Sequence, residues 1–385
     1  MHLHDYQKLD GSVIIAGQQS RFALSVGIAF FPDEAGHVLR LWTPRDDNTI
    51  EASEGSHSRP RDISRRVVPV GCHSHNDYWR PEPLFSALRA GCIGVEADVW
   101  LFDEELYVGH TTSSLNATRT LKAMYIDPLV RLLDHQNRLT GQPSSAQQGS
   151  HSPRFTGIYD THPEQTLILL LDLKSDGAAA WPVIQRQLAP LRSRGYLTFF
   201  NGDDTIPGPV TVVGTGNTPF DLLVANRVHR DIFFDAPLDK LVETLESKSM
   251  THDQVIRPST SSVSPRRSAD AGQGLSGTPD SIEPSTFNAR NSHYASVSLR
   301  QAIGLPWSLQ FSQHQVEMIR THVRIAHSHG LKVRYWGIPN WPRAMRDYVW
   351  RVLVREGVDF LNVDDLAAAT RIQMDRLNTS VDEGR

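Results

Sequence analysis

The sequence predicts a single (β/α)8 barrel of the TIM type, and three observations point to it. Strand-like runs begin near eight positions of the 385-residue chain, and helical patterns separate most of them. The length is sufficient for one barrel of roughly 250 residues with insertions. Polar side chains follow several of these runs at their carboxy-terminal ends, where the active mouth of such a barrel forms. The pattern favours a barrel over an open doubly wound sheet.

The strands and helices alternate along the chain. The predicted strands begin at or near residues 67, 94, 167, 210, 231, 295, 332 and 358. Residues 166–173 read TLILLLDL, a continuous apolar run that is typical of a strand buried on both faces. Residues 313–329 place Val316, Ile319 and Val323 on one stripe, which predicts a helix that ends before Gly330. A last helix is expected from Leu366 to about Leu377.

Composition divides the chain into four parts. We assign residues 1–66 to an N-terminal extension or linker, 67–377 to the barrel and 378–385 to a C-terminal tail. Residues 248–292 are rich in Ser, Pro and Thr and have few large apolar side chains. Such a segment buries too little surface to offset its ordering entropy, so we expect a disordered insertion within the barrel.

Charge and hydropathy exclude some classes of partner. A net charge of -4 gives no electrostatic footprint for nucleic acid. The apolar stretch at residues 22–31 is too short for a membrane span, and its length is compatible with a strand or with the remnant of a signal or anchor helix. The residues before it make no convincing signal peptide. A basic cluster at residues 59–66 is compatible with peripheral contact to an anionic membrane, although a solvated linker is the favoured interpretation. The compartment (secretory, membrane-associated or mitochondrial) and protein partners stay undetermined.

The chain contains two cysteines, Cys72 and Cys92. Two cysteines do not make a disulfide framework. They flank the first predicted helix and could approach each other on neighbouring strands, but we expect buried, reduced thiols.

Acidic and histidine side chains cluster around the first two predicted strands. Glu96 and Asp98 are two positions apart within a strand, so both carboxylates lie on the same face. His73 and His75 end the preceding strand, and a following ribbon brings His110 towards the same mouth. Two carboxylates in an apolar strand are costly unless a cation or an ion pair neutralises them. We therefore predict a metal-assisted acid/base site.

The residue types suit phosphodiester cleavage. The carboxylates of Glu96, Asp98 and Asp172 are hard oxygen ligands, which suit Mg²⁺ or Ca²⁺ better than zinc. Two histidines on opposite sides of a phosphorus atom would serve as general base and general acid. Lys174 would supply a point charge for a phosphoryl oxygen, although an ion pair with Asp172 is the structural alternative.

Five segments resemble a known family. They read HSHNDYWRPEPLFSAL, GVEADVWLFDEELYVGHTTSSLNATRTL, LLLDLKS, VRYWGIPN and GVDFLNVDDL. They resemble the fungal altered inheritance of mitochondria protein 6 family and, more distantly, the phospholipase C-like phosphodiesterases, which include glycerophosphodiester phosphodiesterases and sphingomyelinase D-type enzymes. The match spans residues 67 to about 377 outside the insertions.

The resemblance implies a role for each matching position. The catalytic residues would be His75, His110 and Lys174, the metal ligands Glu96, Asp98 and Asp172, and one substrate-binding residue Trp336. We further assign His73 and Asn76, which lie beside His75, to substrate binding. It implies a metal-dependent phosphoric diester hydrolase acting on a glycerophosphodiester or phospholipid head group, with Mg²⁺ or Ca²⁺ as cofactor. A water or a substrate hydroxyl would attack phosphorus between His75 and His110.

Two other functions stay open. His73-x-His75 at the end of a first barrel strand also resembles the dinuclear zinc motif of amidohydrolases. Such a site needs further histidines at the ends of later strands, whereas His229 and His293 precede the corresponding predicted strands. A non-catalytic barrel that binds a phosphate-bearing lipid or a protein is the second alternative.

Overall fold

The computed structural model describes Ile63 and residues 66–139, 155–243, 282–306 and 310–382. Most of the predicted N-terminal extension and residues 248–281 of the insertion predicted at 248–292 lie outside these ranges. The last part of that predicted insertion is described: Pro284–Thr286 form a 3₁₀ turn, and Ser292 begins a strand. The described compact unit takes in residues from 58–338 and 347–385. Residues 339–346 belong to a second unit, in which the Trp341–Pro342 peptide bond is cis.

The described strands and helices are numbered in chain order. The strands are β1 (Val70–Ser74), β2 (Cys92–Phe102), β3 (Glu105–Val108), β4 (Leu167–Leu173), β5 (Phe199–Phe200), β6 (Thr205–Ile206), β7 (Val210–Gly216), β8 (Ile232–Pro237), β9 (Ser292–Ser298), β10 (Lys332–Trp336) and β11 (Phe360–Val363). The α-helices are α1 (Phe85–Ala90), α2 (Asp127–Leu139), α3 (Gly177–Gln187), α4 (Ala189–Arg192), α5 (Phe220–Ala225), α6 (Leu299–Ala302), α7 (Gln313–Ser328), α8 (Arg343–Arg355) and α9 (Leu366–Asp382).

Eight parallel strands close into a barrel, which confirms the predicted fold. They are hydrogen-bonded in the order β1-β2-β4-β7-β8-β9-β10-β11, and β11 pairs in turn with β1. Helices lie between successive strands, and residues 238–243 are helical after β8. β3 pairs antiparallel with β2 outside the ring, while β5 and β6 form a separate two-stranded sheet. The carboxy-terminal ends of the eight strands therefore share one mouth.

Local sequence explains the helix boundaries. The Ser312 hydroxyl oxygen accepts a hydrogen bond from the Gln315 backbone N–H, and the Gln315 side-chain oxygen accepts one from the Ser312 backbone N–H, so a capping box begins α7. Gly91 ends α1 in a left-handed conformation with φ of 85°, which costs a glycine little. No helix in the described part of the chain is long and apolar enough to cross a membrane.

The core explains why the apolar runs are strands. All seven residues of β4 are buried, because helices cover its outer face while the barrel interior covers its inner face. The predicted run at 166–173 is thus the strand with the clearest sequence signal. The polar exception within β4 is Asp172, which is fully buried.

The expectation of reduced thiols was wrong. Cys72 and Cys92 form a disulfide that joins β1 to β2, with 4.4 Å between their Cα atoms. The short crossover through α1 returns the chain beside β1, and the register pairs Val70 with Cys92. Cysteine spacing alone does not show this register, so the sequence did not favour the bond.

Candidate active site

Three carboxylates from two neighbouring strands meet inside the mouth. β2 carries Glu96 and Asp98 on one face, and the register of the parallel pair sets Asp98 beside Asp172 of β4. One ligand oxygen from each residue lies within 4.8 Å of the others, and all three side chains are buried. The structure therefore brings together the three residues predicted as metal ligands.

The carboxylates fit a divalent cation. Glu96 Oε1, Asp98 Oδ1 and Asp172 Oδ1 are buried and have no hydrogen-bond partner among the described residues. Buried polar atoms are nearly always paired, so three orphaned oxygens in one place are unusual. A donor set made only of carboxylate oxygens suits Mg²⁺ or Ca²⁺, and no histidine belongs to the group. The zinc motif proposed for His73-x-His75 gains no support from this arrangement.

Lys174 lies between two of the carboxylates. Its Nζ is 2.7 Å from Asp172 Oδ2 and 3.3 Å from Asp98 Oδ2. Burial alone would lower the pKa of Lys174, but the two carboxylates outweigh burial and raise it, so the ammonium keeps its charge. The ion pair with Asp172, which the sequence left as the structural alternative, is present, and Lys174 also contacts Asp98 of the carboxylate group.

A buried arginine, which the sequence analysis did not single out, reaches the same group. Arg334 of β10 is fully buried, and its Nη2 is 3.2 Å from Glu96 Oε2 and 3.0 Å from Asn362 Oδ1. Its Nη1 is 4.0 Å from Asp235 Oδ2. A sequence signal existed, because Arg334 interrupts the apolar run of its strand on the same face as Trp336.

The charges of the cluster do not balance. When ionised, Glu96, Asp98, Asp172 and the neighbouring Asp235 carry four negative charges against the two positive charges of Lys174 and Arg334. Burial raises the pKa of Asp98 to about 8, although Lys174 opposes the shift. Burial also raises the pKa of Glu96 against the influence of Arg334. Both shifts express mainly the cost of burying a charged carboxylate, to which repulsion from the neighbouring carboxylates adds, and a bound cation would offset that cost.

His75 is oriented by a carboxylate from the last strand end. Its Nδ1 is 2.9 Å from Asp364 Oδ1, and both side chains are about one quarter exposed. Arg80 fixes this corner by donating to the backbone oxygens of Asp364 and Val363. An Nδ1–H that donates to Asp364 places the imidazole lone pair on Nε2, as a general base requires.

His110 follows β3 and lies exposed beside the mouth. Its ring centroid is 5.3 Å from that of Trp79. The preceding Gly109 donates its backbone N–H to the carbonyl oxygen of Asp98 over 3.2 Å. This bond ties the His110 loop to the strand that carries two of the carboxylates.

The three predicted substrate-binding residues occupy different environments. Trp336 ends β10 and is half-buried, as expected at a barrel mouth. Asn76 is buried and accepts a hydrogen bond from the Tyr78 hydroxyl over 2.8 Å. His73 is instead fully buried inside the barrel, and a Cβ on Gly94 would stand 2.3 Å from its ring. The structure thus places His73 in the core rather than at the mouth.

Tyr78 was also missed by the sequence analysis. Its hydroxyl is 2.8 Å from Asp98 Oδ2 as well as from Asn76 Oδ1, and it donates its one proton to either acceptor. Burial raises the pKa of Tyr78, so the phenol stays protonated. Nothing in the local sequence distinguishes this tyrosine from a core residue.

Comparison with known proteins agrees with the earlier resemblance. Residues 61–235, which include the three carboxylates and Lys174, match the family model described as an AIM6-like phosphodiesterase domain. The altered inheritance of mitochondria protein 6 homolog of Arthroderma benhamiae is 38% identical over 320 residues, covering 80% of this chain and 86% of the relative. The similarly named protein of Lachancea thermotolerans is 35% identical over 372 residues, covering 91% and 76%. That of Eremothecium gossypii is 30% identical over 341 residues, covering 87% and 77%. The chain belongs to the altered inheritance of mitochondria protein 6 family, a phosphodiesterase-like family.

Proposed function

We propose that the chain is a metal-dependent phosphoric diester hydrolase that acts on a glycerophosphodiester or a phospholipid head group. One observation carries the proposal. Three buried carboxylates, each with one oxygen that has no hydrogen-bond partner in the described part of the chain, meet at the mouth of a parallel barrel beside an ammonium group. An ion pair that served only stability would leave fewer buried oxygens without partners.

Glu96, Asp98 and Asp172 would hold Mg²⁺ or Ca²⁺. When bound, such an ion neutralises the charge that develops on a phosphoryl oxygen. Lys174 contacts Asp98 and Asp172, and its Nζ would supply a positive charge to a phosphoryl oxygen of the substrate.

Two histidines would move the protons. With Asp364 on Nδ1, the Nε2 of His75 accepts a proton from the attacking water or substrate hydroxyl. His110, exposed on the loop tied to Asp98, donates a proton to the leaving oxygen. Trp336, and Trp79 next to His110, offer apolar faces for the glycerol or head-group carbons of a substrate.

The test is turnover of a phosphodiester panel by the purified chain with Mg²⁺, with Ca²⁺ and with a chelator. The panel holds glycerophosphodiesters, lysophospholipids, sphingomyelin and phosphoinositides. Asp172→Asn removes one ligand charge at nearly constant volume, and we expect it to abolish metal-dependent turnover. Glu283→Gln changes an exposed carboxylate before β9 and serves as the control. Thermal unfolding of both variants separates loss of the site from loss of the fold.

Two results would redirect the assignment. Binding of Mg²⁺ by calorimetry without turnover on any substrate would favour a barrel that binds a phosphate-bearing lipid without cleaving it. Zinc bound to the purified protein in stoichiometric amount, together with turnover that does not depend on added Mg²⁺ or Ca²⁺, would favour amidohydrolase chemistry instead.

A further inference from the structure

An exposed loop after His110 carries a potential modification site. Asn116, Ala117 and Thr118 form the sequence Asn-x-Thr with a residue other than proline in the middle. All three residues are exposed, and none belongs to a helix or strand. A bulky group on Asn116 would therefore displace no packed side chain.

The local geometry suits transfer to the asparagine amide. Asn116 Oδ1 accepts hydrogen bonds from the backbone N–H and from the hydroxyl of Thr118, each over 2.9 Å. These bonds close an Asx turn through the carbonyl oxygen and do not use Nδ2. A hydroxyl that donates to the carbonyl oxygen draws electron density from the amide, which makes its N–H more acidic.

A second, independent feature indicates the compartment in which such transfer takes place. Cys72 and Cys92 form a disulfide, and both cysteines are fully buried. Disulfides persist in oxidising compartments such as the lumen of the endoplasmic reticulum, while cytosolic thiols stay reduced. A structural disulfide and an exposed acceptor motif therefore point to the same maturation environment.

We propose that Asn116 is an N-glycosylation site and that the chain matures in the secretory pathway. The donor is an oligosaccharide linked to a polyprenyl diphosphate. Asn116 Nδ2 attacks the anomeric carbon, a nitrogen–carbon bond forms, and the bond from that carbon to the diphosphate oxygen breaks. The polyprenyl diphosphate leaves with the electron pair, and Nδ2 gives up one proton to a base of the transferase. This proposal does not depend on the proposed phosphodiesterase function.

The position of Asn116 gives the modification a structural consequence. The two ends of its loop are held close to the carboxylate strand, because Val108 donates to the Arg119 carbonyl oxygen and Gly109 donates to that of Asp98. A glycan on Asn116 would stand on the same loop as His110, at the rim of the candidate site.

The experiment uses the full 385-residue chain expressed in a fungal host and purified from total cell extract and medium. Peptide mapping after treatment with peptide N-glycosidase reports the state of Asn116, because removal of a glycan converts Asn to Asp. Thr118→Ala destroys the motif without changing Asn116, and Thr118→Ser preserves it. Asn378→Gln removes the second Asn-x-Ser/Thr motif of the sequence, Asn378-Thr379-Ser380, so that each glycan is assigned to its site.

We expect Asn116 to be modified in the wild-type chain, in Thr118→Ser and in Asn378→Gln, and unmodified in Thr118→Ala. Non-reducing peptide maps should link Cys72 to Cys92 in the same samples. An unmodified Asn116 alongside a glycosylated secretory reporter from the same cells would overturn the proposal, as would free thiols at both cysteines. Equal thermal unfolding of Thr118→Ala and enzymatically deglycosylated wild type would show that the substitution leaves the fold intact.

Discussion

Arg334 Nη2 lies 3.2 Å from Glu96 Oε2, and both side chains are completely buried. The two residues are 238 positions apart in the sequence. Burial would lower the pKa of Arg334, but Glu96 and the other nearby groups raise it, so the guanidinium stays charged. The pair fixes one oxygen of Glu96 and leaves Oε1 without a partner among the described residues. Arg334 thus helps to orient Glu96 while supplying part of the positive charge that the cluster needs.

Replacing Arg334 with methionine should lower the free energy of unfolding in chelator by about 3–5 kcal/mol, because it leaves buried carboxylates without their partner. Adding Glu96→Gln to Arg334→Met should restore part of that loss, since a neutral side chain no longer needs the guanidinium. Urea denaturation of both single variants and the double variant gives the coupling energy. Strictly additive losses would show that the two side chains do not stabilise each other. Arg334→Lys is the control, because it changes the shape of the side chain and its hydrogen bonds but keeps the positive charge.

Asp364→Asn should lower kcat by roughly 10²-fold while KM and Mg²⁺ affinity change little, because Asp364 orients His75 and does not belong to the carboxylate group. Turnover on the substrate identified by the panel and calorimetry with Mg²⁺ measure the two effects separately. Asp365→Asn is the matched control. Asp365 caps the last helix through the backbone N–H of Ala368, a role that asparagine performs equally well. Equal losses of turnover in both variants would contradict a specific role for Asp364.

Removing the disulfide with Cys72→Ala and Cys92→Ala together should lower the free energy of unfolding by about 3 kcal/mol, the value expected for a closed loop of this size. The sequence separation of the two cysteines is 20 residues. Denaturation of the wild-type chain with and without reductant provides the comparison. If reductant weakens the double variant as much as the wild type, the effect does not come from this bond.

His322 gives a pH dependence that is remote from the carboxylates. It is buried on α7 with its Nδ1 2.9 Å from the Tyr335 hydroxyl, and burial lowers its pKa to about 4. The unfolded chain binds a proton at this residue below about pH 6.5, whereas the folded chain does so below about pH 4. The contribution of His322 to the free energy of unfolding is therefore fully present above pH 6.5. It decreases as the pH drops towards 4, by at most about 3 kcal/mol.

The measurement is urea denaturation at several pH values across this window for the wild-type chain and for His322→Gln. Glutamine keeps a hydrogen-bonding side chain but does not titrate, so the variant should lose less stability on acidification. Parallel curves for the two proteins would mean that His322 is not held neutral in the fold.

The sequence predicted those parts of the fold that depend on local patterns. The run at 166–173 is a strand because a parallel strand covered on both faces is apolar at every position, apart from the site residue Asp172. Glu96 and Asp98 could be placed on one face from strand alternation alone. The same alternation puts Arg334 on the face of Trp336, so its approach to the site was detectable in principle.

The remaining contacts depend on register between distant strands. Arg334 and Glu96 are 238 residues apart, and His75 and Asp364 are 289 residues apart. A single sequence carries no information about such pairs until the closure of the barrel brings β1 beside β11. His73 illustrates the same limit. It shares a strand face with His75, but only the structure shows that Gly94 leaves room for its ring within the core.

Lys174→Met should tighten Mg²⁺ binding and still reduce turnover. Lys174 Nζ contacts Asp172 and Asp98, so its positive charge opposes a cation held by the same carboxylates. Without it, we expect Kd for Mg²⁺ to fall about tenfold, a change of about 1.4 kcal/mol. Mg²⁺ should then raise the unfolding temperature of the variant more than that of the wild type, because a ligand stabilises the fold according to its affinity. Turnover should fall because the positive charge beside the phosphoryl oxygen is gone.

Calorimetry, thermal unfolding with and without Mg²⁺, and the turnover assay measure the three quantities. Lys122→Met, which removes an exposed lysine paired with Asp127, is the control. Weaker Mg²⁺ binding in Lys174→Met would show that Lys174 organises the carboxylates rather than competing with the ion.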